Sequence, residues 1–480
     1  VILLVTLLPP LLIGYLAVRA LTPKWTPAWA GTLLHVFLGA GCGVGLLSLL
    51  YFTVRITIGP SLPAIWSGEV ILLAAAAYAC WRRTEADPEV GQLTRAGTWL
   101  LSLLFLAILC THTASYLHVA QATPLGEWDA WAIWNLRAKF LAQQDATWVG
   151  AWSPFLRDLP GNFGTHPDYP LLLSGFIARS WALTHSIAGV TVPIAVCALF
   201  WTATVAVLVA ALAVLRSWTM AMIGGLILLS NAAIALNAPT QYSDIPLSFF
   251  ILSTFVLLLL VDARRDAPAY TIALAGFTMG CAAWTKDEGI LFAAVTGVAM
   301  LSCTLLARLP ARHFALFASG ASLPLSAILY FKVFLATGPG SWGPLTLTSA
   351  LRQLAEPARY TQILQAFWNE TAAMGRGIAH PGIALILLAA LLGISRSQLR
   401  SPLTRTALGV CAVMLAGQFG VYVVTPFDLS WHLGTSLGRV LTQLAPGLTF
   451  LLVACCRTPE ETAPPAVATP PPIRAKRKKR

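Results

Sequence analysis

Apolar stretches close to twenty residues long recur along the whole of this chain. Lipid offers no partner to a free N–H or C=O, so segments of that length and composition are stable in a bilayer as α-helices. A membrane β-barrel would show short alternating segments instead. Of 480 residues 57% are hydrophobic and 10% charged, against about 25% charged in soluble domains. The expected fold class is an all-α polytopic membrane protein.

Spans are expected at 1–18, 31–53, 65–81, 98–116, 188–214, 219–237, 245–263, 268–284, 289–307, 314–335, 381–395, 404–424 and 438–456. The stretch 171–183 is the ambiguous one, being short and containing Arg179. If it does not cross, most of the 31 basic residues fall on one side; if it does, the bias collapses. The positive-inside rule therefore favours thirteen spans with a cytoplasmic C-terminus, and makes 171–183 an interfacial or re-entrant helix. The resulting organisation is 1–116 N-terminal spans, 117–187 a large outer loop with interfacial helices, 188–335 central spans, 336–380 a second outer loop, 381–456 C-terminal spans and 457–480 a tail. The chain opens at Val1, already apolar, so its true N-terminus is expected to lie further upstream.

The net charge of +12 does not point to nucleic acid, because it is concentrated in the tail, which follows a Pro-rich stretch and ends RAKRKKR. That pattern reads as a disordered segment held at an anionic leaflet. The nine cysteines form no CxxC pair and sit in or at the ends of apolar runs, as small hydrophobes do. More than half of the 19 acidic residues fall on the outer face.

Five polar constellations lie on that face. The first, EWDAWAIWNLRAKF (127–140), crowds Trp128, Asp129, Trp131, Trp134, Arg137 and Lys139 together. If helical, Trp131, Trp134 and Ala138 share one face. It reads either as an aromatic belt with snorkelling cations or as a general base at headgroup depth, flanked by cations for an anionic donor. In GTHPDYPLLLS (164–174), Pro167 and Pro170 bracket Asp168 and Tyr169. His166 and Asp168 face a site there, or Asp168 caps the following helix. Asp129, His166 and Asp168 are also candidate ligands for a divalent metal ion. Asp244, in NAPTQYSDIP (237–246), is a helix N-cap or a functional membrane-edge acid. In WTKDEGILF (284–292), Lys286 is placed to meet a phosphate with Asp287 or Glu288 as partner, unless the cluster is a solvated hairpin turning at Gly289. TPFDLSWHLGTSLGR (425–439) brings His432 and Arg439 to the outer edge of the last span. A lone Arg439 there is costly unless an anionic phosphate offsets it.

Taken in order, Asp129 in EWDAW, His166 to Pro170, Asp244 in YSDIP, the TKDEG motif and Arg439 ahead of the last span resemble the GT-C glycosyltransferase superfamily. More narrowly they resemble bacterial relatives of protein O-mannosyltransferases and aminoarabinose transferases. The first loop departs in carrying a single Asp129, with Glu127 two residues earlier, where a paired acidic motif is usual. The resemblance implies an enzyme of the bacterial inner membrane with a periplasm-facing site. It would move a sugar from a polyprenyl-phosphate-linked donor to a hydroxyl of a lipid, glycan or protein acceptor, with inversion. Asp129 would be the general base. Trp128, Trp131, Arg137, Lys139, His166, Asp168, Tyr169, Asp244, Lys286, Glu288, His432 and Arg439 would bind substrate. A secondary transporter or lipid or glycan flippase is the rival reading, but no half-to-half repeat is visible and the charges gather at one face rather than the midplane. An assembly partner without chemistry would leave the five constellations unaccounted for.

Overall fold

The structure, a computed structural model, describes residues 1–83, 98–153, 156, 165–263, 270–306, 308–336, 345–373 and 380–462. The part of the expected tail beyond 462 lies outside these residues. Among the described residues every regular element is a helix, and the only β pairing is an isolated bridge between Ile394 and Cys456. In chain order the helices are α1 (Ile2–Leu21), α2 (Ala28–Thr57), α3 (Leu62–Trp81), α4 (Thr98–Ala122), α5 (Asn135–Ala142), α6 (Leu172–Thr184) and α7 (Thr191–Leu215). Next come α8 (Trp218–Leu229), α9 (Ala232–Asn237), α10 (Asp244–Ala263), α11 (Tyr270–Thr285), α12 (Asp287–Leu305) and α13 (Ala311–Tyr330). The last are α14 (Leu347–Leu354), α15 (Pro357–Ala373), α16 (Pro381–Leu392), α17 (Arg396–Arg400), α18 (Pro402–Val423), α19 (Leu429–Cys455) and α20 (Pro459–Thr462).

Among the described residues ten helices are long and apolar enough to cross a membrane, α13 together with the turn that prolongs it to Leu335 among them. The chain is a multi-pass α-helical membrane protein in contact with the bilayer. The thirteen spans expected from sequence thus divide into these ten and three stretches built from the shorter helices α8, α9, α11 and α16. The stretch 219–237 is broken between α8 and α9, where the Asn231 side chain accepts from the Ala233 N–H at 3.0 Å and starts a new helix. α16 stops after twelve residues at Gly393, whose φ of +75° suits glycine. α11, with sixteen residues, is buried along most of its length. All nine cysteines are free.

α10 is apolar on all sides and buried almost throughout, packed on α7, α11 and α19, which marks the centre of the bundle. α3 and α4 lie on its lipid-facing rim. Two helix pairs approach closely, α1 with α2 and α11 with α13. A Cβ on Gly43 would overlap the Pro10 carbonyl, and one on Gly276 the Phe317 carbonyl. Close backbone contact of this kind holds helices together where lipid supplies no hydrophobic drive.

The segment expected as the second outer loop contains α14 and α15. Leu347, Leu351 and Leu354 make an exposed apolar stripe along α14, as expected of a helix lying against lipid. Gln353 donates to the Thr425 carbonyl, and Arg359 to those of Val423 and Tyr422, so these helices brace the turn between α18 and α19.

α6 is the helix formed by the stretch 171–183. Leu172 through Leu183 are all buried, packed on α2 and α5. Its apolar character serves protein contact rather than headgroup contact. The Arg179 guanidinium forks onto Glu69 of α3, Nε to Oε1 at 2.7 Å and an Nη to Oε2 at 2.6 Å, and its other Nη donates to the Val5 carbonyl at 2.7 Å. The one acid deep within a predicted span therefore meets the one charge of the ambiguous segment. Removing one partner of a buried pair leaves an unpaired charge and costs about 3–5 kcal/mol, whereas an apolar pair of similar volume is often neutral. Glu69→Ala should lower the melting temperature in detergent sharply. Glu69→Leu combined with Arg179→Met should restore most of the loss.

Candidate active site

The site begins where α4 ends. Gly126 turns the chain at φ +73°, and a Cβ there would also crowd the Thr240 carbonyl. The Glu127 N–H bonds that carbonyl at 3.1 Å, and Gln241 ties Asn135 and the Pro124 carbonyl. The segment after α4 is thereby fixed to the entry of α10. Asp129 precedes a π-helical turn, Ala130–Trp134, in which the Asn135 N–H reaches the Ala130 carbonyl. A second π turn, Phe331–Leu335, prolongs α13 and carries Lys332. Such turns are uncommon and gather at functional sites.

The N-termini of α10, α12 and α19 and the C-terminus of α18 converge there around a cavity of about 680 Å³. Its wall includes Trp128, Asp129, His166, Tyr169, Tyr242, Lys286, Asp287, Glu288, Tyr422, Phe427, Trp431, His432 and Arg439. Helix N-termini present unpaired N–H groups and positive dipole ends, which favour acids and anionic ligands. Asp244 and Asp287 stand at two of them.

One buried carboxylate organises the charges. Asp244 has no exposed side-chain surface. Its Oδ1 accepts from Lys286 Nζ at 2.9 Å and Gln443 Nε2 at 2.6 Å, and its Oδ2 from Arg439 Nε at 3.1 Å. Arg439 also donates to Asp129 Oδ2 at 2.5 Å and lies over the Tyr242 ring, 4.3 Å from its centroid. Lys286 meets Glu288 Oε1 at 3.0 Å, and Glu288 Oε2 is buried with no hydrogen-bond partner among the described residues. A second set joins Lys332 to Asp287 at 2.8 Å and Asp168 at 3.9 Å. Burial opposes the charged form of Lys286, but Asp244 and Glu288 outweigh it and raise its pKa above the ordinary lysine value.

Aromatic stacking orders the neighbouring wall. His166 stacks on Tyr169 at 4.4 Å and 10°, and Tyr169 on buried Trp134 at 5.7 Å. Burial pushes the Tyr169 hydroxyl well above its usual pKa. It also lowers His166, against the opposing pull of Asp168 and Asp129. His432 Nδ1 is 2.8 Å from the Thr425 hydroxyl, and the Tyr422 hydroxyl 2.8 Å from that of Ser436.

Nine residues named from the sequence line this one cavity: Trp128, Asp129, His166, Tyr169, Lys286, Asp287, Glu288, His432 and Arg439. Others do not. Asp244 lies behind the wall, holding its cations. Arg439 is not a lone charge, because two carboxylates compensate it. Asp168 pairs with Lys332 instead of lining the cavity. Trp131 packs edge-on against Trp128 and projects outward, since the π turn takes it off the buried face of Trp134 and Ala138. Lys139 is exposed outside the cavity. Arg137 is wholly buried, donating to the Ala151 carbonyl at 2.9 Å beside the Phe331 ring. Among the described residues no three His, Cys, Asp or Glu side chains are grouped to hold a metal ion, so Asp129, His166 and Asp168 do not form the centre considered from sequence.

The sequence reading did not assign Tyr242, Gln418, Tyr422, Trp431 or Gln443 to a site. The polar Gln418 and Gln443 inside apolar spans were the available signal.

No family model, curated protein or solved structure matches the chain.

His166 supplies a pH test of this wall. Its folded pKa lies below the ordinary value of 6.5, so the unfolded chain takes up the proton first as pH falls. Its contribution to stability is present above 6.5 and is lost as pH falls toward the folded value. His166 has φ +42°, a conformation Asn tolerates. Wild type should lose stability relative to His166→Asn between about pH 7.5 and about pH 5. Parallel melting curves across that range would contradict the assignment.

Proposed function

We propose that this protein is a GT-C-type membrane glycosyltransferase that moves a sugar from a polyprenyl-phosphate-linked donor to an acceptor hydroxyl. Supporting this reading is one arrangement above all. A cavity at the end of the membrane-spanning helices joins the Asp129 carboxylate to two cations, Lys286 and Arg439, within aromatic walls. Aromatic surface suits sugar rings and isoprenoid chains, and the cations suit a phosphate. The active face is taken as periplasmic in a bacterial inner membrane, with the C-terminus cytoplasmic.

The chemistry would be a single displacement. The acceptor oxygen forms its bond to the anomeric carbon as the bond from that carbon to the phosphate oxygen breaks. The electron pair leaves on polyprenyl phosphate, and Asp129 takes the acceptor proton. Charge developing on the leaving phosphate is stabilised by Lys286 and Arg439, which Asp244 has already oriented. Glu288 Oε2, buried and unpartnered, is free to accept from a sugar hydroxyl.

The Asp129–Arg439 contact adds a coupling. A phosphate arriving at Arg439 competes with Asp129 for the guanidinium, and a carboxylate released from that bond has its oxygen free to take the acceptor proton. The base would then be activated where a donor is bound.

Purified wild type in nanodiscs should release polyprenyl phosphate from at least one member of a panel of labelled polyprenyl-phosphate sugars, without an ion gradient. Asp129→Asn should fold normally and lose about two to four powers of ten in rate. Asp244→Asn should lose thermal stability together with activity, because it leaves Lys286 and Arg439 undercompensated. Release by Asp129→Asn at the wild-type rate would remove Asp129 from the mechanism. Release from no donor would turn the reading toward transport.

A further inference from the structure

A second cavity, of about 550 Å³, lies between α12 and α18 at the ends remote from the active-site cavity. Its walls are almost wholly apolar, including Val298 and Val413, both more than half exposed. The Cys303 thiol and Thr406 hydroxyl, 2.9 Å apart, satisfy one another where the two helices meet. At its mouth stand Arg308 and Arg405, both exposed. Among the described residues neither guanidinium has a carboxylate partner; Arg405 donates only to the Arg400 carbonyl, at 3.0 Å.

An apolar trough in lipid is filled by a chain, and two unneutralised guanidiniums at its mouth select a chain with an anionic head. Along α12 the distance from Asp287 to Leu305 is about 27 Å at 1.5 Å per residue, close to the thickness of the hydrocarbon core. The trough therefore opens toward the leaflet opposite the active-site cavity. We propose that it is a binding site for an anionic phospholipid, the phosphate on Arg308 and Arg405 and one acyl chain along the α12–α18 seam. This site does not depend on the transferase reading.

Native mass spectrometry of the detergent-purified full chain, with phosphatidylglycerol or phosphatidylcholine added at equal concentration, tests it. Wild type should retain phosphatidylglycerol at least roughly tenfold better. Arg308→Gln with Arg405→Gln should abolish that preference. Gly409→Leu should fill the trough: a Cβ there meets no atom within 4 Å, and leucine is the better helix former, so the fold should stand. It should lose the adduct with both arginines intact. Equal retention of the two lipids by wild type, or undiminished phosphatidylglycerol binding by either variant, would overturn the proposal. Displacement of phosphatidylglycerol by equimolar polyprenyl phosphate would also overturn it, assigning the trough to an isoprenoid chain.

Discussion

Asp244 carries the arrangement of the end that holds the candidate site. A carboxylate removed from all solvent is tolerated only if donors surround it, and this one takes three, from Lys286, Arg439 and Gln443. Those donors come from the α11–α12 junction and from α19, while Asp244 itself opens α10. The desolvation cost of one charge thus brings three helices to one point. Arg439 then extends the set to Asp129 and fixes the segment after α4. The cations that face the cavity are held from behind, so a ligand meets them already oriented, without the entropy loss of ordering two long side chains.

Much of this end was legible in the sequence, residue by residue, and little of it pair by pair. Asp129, Lys286, Glu288 and Arg439 stood out because a charge at the edge of an apolar run needs a reason. Their partners could not be read: Lys286 is 42 positions from Asp244, Arg439 is 195 from Asp244 and 310 from Asp129. Without pairing, Arg439 looked like a cation in want of a phosphate, and Asp244 like a ligand-facing acid. Arg137 misled for a related reason. In a Trp-rich stretch a guanidinium reads the same whether it turns into the cavity or into the protein, and the π turn at Ala130–Trp134 decides which side chains turn where. Nothing in the residue pattern announces that extra residue in the turn.

The membrane architecture was legible as class and less so as count. Hydropathy measures whether a segment avoids water, and a helix buried in protein avoids water as completely as one facing lipid. α6 is the clear instance. Its apolar residues, together with Arg179, describe a helix surrounded by protein, and the Glu69 carboxylate that neutralises Arg179 sits on a helix otherwise turned outward to lipid. Hydropathy alone does not separate such a helix from a span. The break between α8 and α9 rests on one Asn231 cap in an apolar stretch, a single side chain that a window average dilutes.

The two cavities share a helix pair because of how α12 is charged. Its dipole favours acids at its first turn and cations at its last, and the chain supplies Asp287 and Glu288 at the start and Arg308 just past the end. α18 runs antiparallel beside it, bringing Tyr422 and Gln418 to the acidic end and Arg405 to the basic one. Charges that stabilise one helix therefore make the ends of the seam chemically opposite. At the acidic end, imported cations and aromatic rings convert it into a polar cavity. At the basic end no acid among the described residues arrives, and the positive charge remains available to whatever anion the bilayer provides.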